Sequence, residues 1–330
     1  MTRPWSAAAA TGIGSMPGTD PAEAVRVALG EVPELAFLPE LPARGPHGDL
    51  TGRGTALLAD LHADLQPSGW RISARSTRDG QRARDFLSRD LDALEETGVR
   101  PPVLKVQAPG PWTLSATVEL TRGDRLLADP AAVADLAQSL AEGLRRHLDD
   151  LSRRLPGTTL LLQLDEPALP GVLAAQIPTA SGFGRLRAPD SETAAARLRT
   201  VLSVAEHTVV HCCAPRPPVE LLLRAGAGAL SLDASVLTPH DDDGIGLGIE
   251  AGAGLLLGLV PGVDTDLSDL TARMAPAKEL WGRLGFAAEL FTTAVVVTPS
   301  CGLAGASPAY ARRALAACTE LARRLGEEPT

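Results

Sequence analysis

Short apolar runs alternate along the chain with longer stretches in which apolar residues recur every three or four positions. The short runs are typical of β-strands, and the longer stretches are typical of amphipathic helices. Some runs, such as residues 160–162 and 295–297, are apolar at every position, as expected of strands buried on both faces of a parallel sheet. The pattern predicts an α/β protein built from βα units.

Nine segments fit a strand, namely residues 8–13, 35–39, 71–74, 103–106, 158–164, 208–212, 229–232, 254–260 and 294–297. A closed barrel needs eight, and we predict that 71–74 is an excursion because Gly- and Arg-rich loops surround it. The predicted fold is one (β/α)8 TIM barrel, a single domain over residues 1–330. An open doubly wound sheet is the alternative, but no Gly-x-Gly-x-x-Gly loop follows the first strand.

Several helices have clear start signals. Asp20 is a predicted N-cap, followed by a proline at the first helical position and by Glu23 at the third. Ser191 opens another predicted helix, and Ser307 opens the last one, which is expected to end near residue 325.

Composition and charge restrict the classes of partner. The chain has 330 residues, of which 45% are hydrophobic and 22% charged, so it can bury a sizeable core. Its formal net charge is -9 without any block of Lys or Arg, which argues against nucleic acid or an anionic membrane as a partner. No apolar run reaches the roughly 18 to 20 residues of a membrane span. We therefore expect a cytoplasmic protein.

Reactive side chains follow three predicted strands in the second half of the chain: His211, Cys212 and Cys213, then Asp233, then Cys301. Because side chains alternate between the faces of a strand, His211 and Cys213 point the same way and Cys212 points the opposite way. Zn²⁺ accepts imidazole, thiolate and carboxylate ligands. The sequence therefore predicts Zn²⁺ as cofactor, bound by His211, Cys213 and Cys301, with Asp233 as the candidate fourth ligand. The alternative is that His211, Cys212 and Cys213 only pack in the core.

Four motifs carry a resemblance to a known family. They are Thr11-Gly12-Ile13-Gly14-Ser15-Met16-Pro17, Gln163-Leu164-Asp165-Glu166-Pro167-Ala168-Leu169, His211-Cys212-Cys213 and Pro299-Ser300-Cys301-Gly302-Leu303. In this order and spacing they resemble the catalytic C-terminal half of cobalamin-independent methionine synthase, a family that shares its barrel with uroporphyrinogen decarboxylase. The resemblance implies a zinc-dependent methyltransferase that methylates the thiol of homocysteine, or of a similar compound, to give methionine.

The resemblance also implies roles for individual residues. In the family a His-x-Cys pair, a glutamate and a late cysteine bind zinc, and these match the four zinc ligands named above. The family's Ile-Gly-Ser segment contacts homocysteine, which implies Ile13, Gly14 and Ser15 as substrate-binding residues here. The aspartate of the Asp-Glu-Pro-Ala-Leu motif holds the amino group of homocysteine, which implies Asp165 as the substrate-binding and catalytic carboxylate.

Departures from the family leave two points open. Asp233 stands where the family has glutamate, which leaves its role as a zinc ligand open. Thr117 stands where the family has the tryptophan that stacks on the folate, and no histidine occurs near Asp264, where the family carries a proton-donating histidine, which leaves the methyl donor open. The expected donor is methyltetrahydrofolate or a methylated corrinoid protein. Two other functions are considered: a zinc- or thiol-binding barrel without catalysis, and a uroporphyrinogen decarboxylase-like enzyme, which needs no zinc but a cationic pocket.

Other charged residues are assigned no role in the site. Arg44, Arg53 and Arg75 follow the second strand and are predicted to lie in solvated loops. His147 stands among charged residues of a predicted helix and is expected on its wet face. Cys318 lies among alanines in the last helix and is predicted to pack in the core.

Overall fold

A computed structural model describes residues 3–327. Within this part of the chain the strands are β1 (Leu35–Phe37), β2 (His62–Gln66), β3 (Gly69–Ser73), β4 (Val103–Pro109), β5 (Thr159–Asp165), β6 (His207–Cys212), β7 (Ala229–Asp233), β8 (Gly254–Val260) and β9 (Val295–Pro299). Seven of them form one parallel sheet in the order β1-β4-β5-β6-β7-β8-β9. β2 and β3 form a separate antiparallel hairpin, which confirms that residues 71–74 are an excursion.

Helices follow most of the sheet strands. They are α1 (Pro21–Glu31), α2 (Leu50–Ala56), α3 (Arg78–Glu96), α4 (Pro111–Thr117), α5 (Pro130–Arg154), α6 (Leu169–Leu173), α7 (Ser191–Leu202), α8 (Val219–Arg224), α9 (Asp242–Glu250), α10 (Leu270–Leu284), α11 (Ala288–Ala294) and α12 (Pro308–Glu327). The predicted cap at Asp20 is confirmed, because its carboxylate accepts a hydrogen bond of 2.9 Å from the Ala22 amide. Between residues 3 and 327, no helix has the length and apolar character needed to cross a membrane.

The inner face of the curled sheet has an apolar floor. It is one cluster of buried residues from all seven strands and the N-terminal segment: Trp5, Ala9, Leu35, Val103, Leu161, Val209, Ala229, Leu256 and Val296. Residues two positions further along a strand point to the same face, and most of these are polar and buried: Lys105, Gln163, His211, Ser231 and Thr298. A polar layer therefore lies between the apolar floor and the carboxyl ends of the strands.

The eighth strand predicted at residues 8–13 is only partly present. Ala10 bridges Val297 of β9, and Ser15, two residues beyond the predicted strand, bridges Glu40 just after β1. Gly12 lies so close to β1 that a Cβ atom would overlap the ring of Phe37. Residues 3–327 thus contain seven regular parallel strands in a TIM-like arrangement, and the predicted eighth strand pairs only through isolated bridges.

The expectation that the arginines after the second strand are solvated is wrong for two of them. Arg44 and Arg53 both pair with the buried carboxylate of Asp90, at 2.7 and 2.6 Å. The Nε atom of Arg53 also lies 3.2 Å from Oε1 of Glu40. Burial of these four charges is tolerated because each faces an opposite charge. Arg75 is exposed, as expected.

His147 on α5 is buried, so its predicted position on the solvent-exposed face of this helix is wrong. Burial, and next the positive charge of Arg53, lower the pKa of the His147 imidazole to about 4. In the unfolded chain the imidazole is protonated near pH 6.5, about 2.5 pH units above its pKa in the folded protein. The unfolded state is therefore favoured progressively as the pH falls from about 6.5 to about 4.

We expect His147→Leu to remove part of this acid sensitivity. The free energy of unfolding is measured in urea at about pH 7.5 and about pH 5. Its decrease between these pH values should be about 2 kcal/mol smaller in His147→Leu than in the wild type. His62→Leu, at a half-buried histidine of β2, is the control and should behave like the wild type. An equal fall in all three proteins would contradict the assignment.

Candidate metal centre

Three of the predicted zinc ligands lie together at the carboxyl ends of the strands. One ligand atom each from His211, Cys213 and Cys301 lies within 4.8 Å of the other two. The two sulfur atoms are 3.3 Å apart. His211 is on β6 with Cys213 just after it, and Cys301 is two residues beyond β9. Since β7 and β8 separate these strands in the sheet, only the curl of the sheet brings the residues together.

The environment of His211 fits a metal ligand. Its Nδ1 atom lies 3.0 Å from the hydroxyl of Ser231, whereas its Nε2 atom is buried without a hydrogen-bond partner among the described residues. When Nδ1 donates to Ser231, Nε2 has a free lone pair. One nitrogen and two sulfur ligands suit Zn²⁺, and two atoms bound to one such ion lie roughly 3.8 Å apart. The separations in this cluster are therefore compatible with a shared ion.

The two thiols of the cluster differ in acidity. The hydrogen bond with Cys213, followed by the interaction with His211, lowers the pKa of the Cys301 thiol to about 4. The same hydrogen bond raises the pKa of Cys213. Cys212 lies outside the cluster and is fully buried, and burial raises its pKa to about 11. Cys318 is also fully buried, which confirms its predicted packing role.

Asp233, the candidate fourth ligand, lies outside the group of three. Its Oδ1 atom accepts hydrogen bonds from the amide and the hydroxyl of Ser235, at 2.9 and 2.7 Å, and so caps a short 3-10 helix at Ala234–Val236. The cluster thus offers three candidate ligands. Catalytic zinc sites typically have three protein ligands and leave the fourth position to water or substrate.

The cluster opens into a cavity of about 180 Å³. The residues that line it are Ile13, Gly14, Ser15, Glu40, Pro42, Gly48, Leu50, Asp165, Pro167, His211, Cys213, Cys301 and Gly302. All the predicted substrate-binding residues therefore face the same cavity as the three metal ligands. Within residues 3–327, no Lys or Arg lines it.

Two carboxylates line this cavity. Asp165 accepts a hydrogen bond of 2.7 Å from Gln163, and burial raises the pKa of the Asp165 carboxyl to about 7. Glu40 faces the cavity from the other side and is paired with Arg53. Sequence reasoning missed Glu40, although it directly follows the predicted strand at 35–39. Its position at the carboxyl end of a strand, where the active sites of barrels lie, could have identified it.

The solved structures that resemble this fold include the following two. One is a B12-independent methionine synthase from Shewanella sp. W3-18-1 in complex with selenomethionine, with a TM-score of 0.59 at 13% identity over 99% of this chain and 98% of that one. The other is a methyltransferase from Methanosarcina mazei, with a TM-score of 0.57 at 15% identity over 97% of this chain and 94% of that one. No protein-family model and no curated protein matches the chain. At these identities the likeness establishes a shared fold.

We predict that the purified protein binds about one Zn²⁺ per chain and that Cys301→Ser abolishes this binding, because serine is a poor zinc ligand. Metal content after dialysis, measured by mass spectrometry, tests the prediction. Cys318→Ser is the matched control, since Cys318 is buried on α12 away from the cluster, and it should retain the metal. Equal zinc contents in both variants would contradict the site.

A second variant tests the hydrogen bond between Nδ1 of His211 and the hydroxyl of Ser231. Ser231→Ala removes the partner that orients His211, and such losses typically weaken metal binding by about 10- to 100-fold. Competition with a chromophoric chelator measures the affinity. Thr298→Val is the control, because Thr298 is equally buried on β9 but its hydroxyl has no hydrogen-bond partner among the described residues. An affinity of Ser231→Ala equal to that of the control would contradict the role of Ser231.

Proposed function

We propose that the protein is a zinc-dependent methyltransferase that methylates the thiol of homocysteine, or of a similar amino-acid thiol. The observation that carries the proposal is the single cavity that His211, Cys213 and Cys301 share with two carboxylates. The two solved structures of the same fold support it, since one is a methionine synthase in complex with selenomethionine and the other a methyltransferase.

We propose a different role for each group of residues that lines the cavity. Zn²⁺ held by the three ligands would lower the pKa of a bound thiol, so that the nucleophilic thiolate is present at neutral pH. Asp165 and Glu40 can accept charge-assisted hydrogen bonds from the ammonium group of the substrate. Ile13 to Ser15 lie along the same wall and would hold the substrate backbone. In the reaction a carbon–sulfur bond forms while the bond from the methyl group to its donor breaks, and its electron pair leaves with the donor.

The proposal includes the architecture around the site. We propose that residues 1–330 form one (β/α)8 barrel domain in which the segment at 8–13 serves as the eighth strand. The bridge from Ala10 to β9 and the bridge from Ser15 to Glu40, just after β1, support this arrangement. With the segment in that place, Ile13, Gly14 and Ser15 would lie between the two edge strands of the sheet. The fourth predicted substrate residue, Asp165, lies at the end of β5.

The charge of the cavity argues against porphyrinogen decarboxylation. A porphyrinogen carries several carboxylates, and the described lining contains two acids, Glu40 and Asp165, without any Lys or Arg. This charge favours a cationic or zwitterionic thiol.

One contact favours a corrinoid over a folate as methyl donor. Transfer from a folate leaves a nitrogen that must take up a proton, whereas transfer from a methylated corrinoid does not. Asp264 lies where the resembling family has a proton-donating histidine, and it accepts two hydrogen bonds of 2.6 Å from Ser307. These bonds lower the pKa of Asp264, so at neutral pH it is ionised and cannot donate a proton.

The test is the formation of labelled methionine. Zinc-loaded protein with L-homocysteine and either methylcobalamin or methyltetrahydrofolate, each ¹³C-labelled in the methyl group, should give labelled methionine detectable by mass spectrometry. Asp165→Asn should lower kcat/KM by roughly 10- to 100-fold, because it removes a charged hydrogen-bond acceptor. Asp243→Asn, at an exposed position of α9, is the matched control. Binding of zinc and homocysteine without methionine from either donor would indicate a non-catalytic binding protein instead.

A further inference from the structure

The segment at residues 9–16 supplies Ile13, Gly14 and Ser15 to the cavity, yet no continuous ladder holds it. Its backbone is joined to the sheet by isolated bridges at Ala10 and Ser15. Between them, the carbonyl of Ile13 accepts hydrogen bonds from two side chains. These donors are Nζ of Lys105, at 2.8 Å, and Nε2 of Gln163, at 2.9 Å.

Lys105 is fully buried on the inner face of β4. Its ammonium group makes a second hydrogen bond, of 3.0 Å, to Oε1 of Gln107, and it lies 5.7 Å from the ring centre of Phe37. Gln107 in turn donates to the carbonyl of Leu38, at 2.7 Å. The lysine is thus connected through Gln107 to the chain directly after β1, on the far side of the gap that a regular eighth strand would fill.

Gln163 extends the same network to the other side. Its Nε2 atom donates both to the Ile13 carbonyl and to Oδ1 of Asp165, at 2.7 Å. The segment also packs tightly on this layer, because a Cβ atom at Gly14 would come within 2.8 Å of the Gln107 amide nitrogen. The carboxylate proposed to bind the ammonium group and the segment proposed to hold the substrate backbone are therefore connected by one side chain.

We propose that Lys105 is a positioning residue, which with Gln163 fixes the Ile13 carbonyl and so sets the backbone of residues 13–15 at the wall of the cavity. A buried ammonium group is unfavourable unless it is fully hydrogen-bonded, and a methionine of similar length would fill the same space without that cost. The hydrogen bonds that Lys105 and Gln163 donate to the Ile13 carbonyl hold the segment at the point between its two backbone bridges. Its effect on thiol binding rests on the proposed function, whereas its effect on the segment does not.

The first measurement is hydrogen exchange of the ligand-free protein. Lys105→Met should accelerate exchange in peptides that cover residues 9–16 by about tenfold or more, while peptides from β6 and β9 stay protected. Leu104→Met is the matched control, because Leu104 is fully buried on the opposite face of the same strand and the substitution conserves side-chain volume. If Lys105→Met fails to fold, Gln163→Leu provides the same test by removing the second donor to Ile13. Exchange equal to that of the control would overturn the proposal.

The second measurement is calorimetric titration of the zinc-loaded proteins with L-homocysteine. We expect Lys105→Met to retain about one Zn²⁺ per chain while its Kd for homocysteine rises about tenfold or more, and Leu104→Met to match the wild type. An unchanged Kd in Lys105→Met would overturn the positioning role while leaving the proposed function intact. If the wild type itself binds no homocysteine, the proposed function fails, and the hydrogen-exchange result alone decides on Lys105.

Discussion

The curl of the parallel sheet is the constraint on which the site depends. β6 and β9 are not neighbours, yet the sulfur atoms of Cys213 and Cys301 at their ends are 3.3 Å apart. A flat sheet would separate these ends by three inter-strand spacings of about 4.8 Å. The apolar floor maintains the curl, because residues from all seven strands pack against one another beneath the site. The chemistry at the strand ends thus relies on hydrophobic packing one layer below.

Buried polar groups are tolerated because they are paired. Arg44, Arg53, Asp90 and Glu40 form a buried cluster with two positive and two negative charges, and Lys105 is hydrogen-bonded to a carbonyl and an amide. Such groups contribute little to stability compared with well-packed apolar residues. Their contribution here is to specify positions: Arg53 pairs with the carboxylate of Glu40 and Lys105 donates to the carbonyl of Ile13, and both acceptors belong to residues that line the cavity.

Much of the fold could be predicted from sequence, and the reasons for the failures are physical. Strands such as β8 are apolar throughout and buried on both faces, so their pattern was unambiguous. The eighth strand is only partly formed, because its pairing with the rest of the sheet is limited to isolated bridges, which an apolar pattern does not reveal. The buried arginines were misplaced because the pairing of Arg53 with Glu40 and Asp90 joins residues distant in sequence.

In the candidate site, too, some features could be predicted from the sequence and others depend on the local conformation. The alternation of side chains along β6 separates His211 and Cys213 from Cys212, which lies outside the cluster. Asp233 is at the expected strand end, but whether its side chain faces a ligand or caps the next turn depends on the local conformation around Ser235. Glu40 could have been found from the order of strands alone.

The contact between the first segment and the last strand has a consequence for biosynthesis. Ala9 and Thr11 exchange backbone hydrogen bonds with Val297, so this segment finds its partner only after β9 has been synthesised. Contacts between residues so far apart in sequence are slow to form. A nascent chain can therefore build most of the parallel sheet before the segment that lines the cavity is held in place.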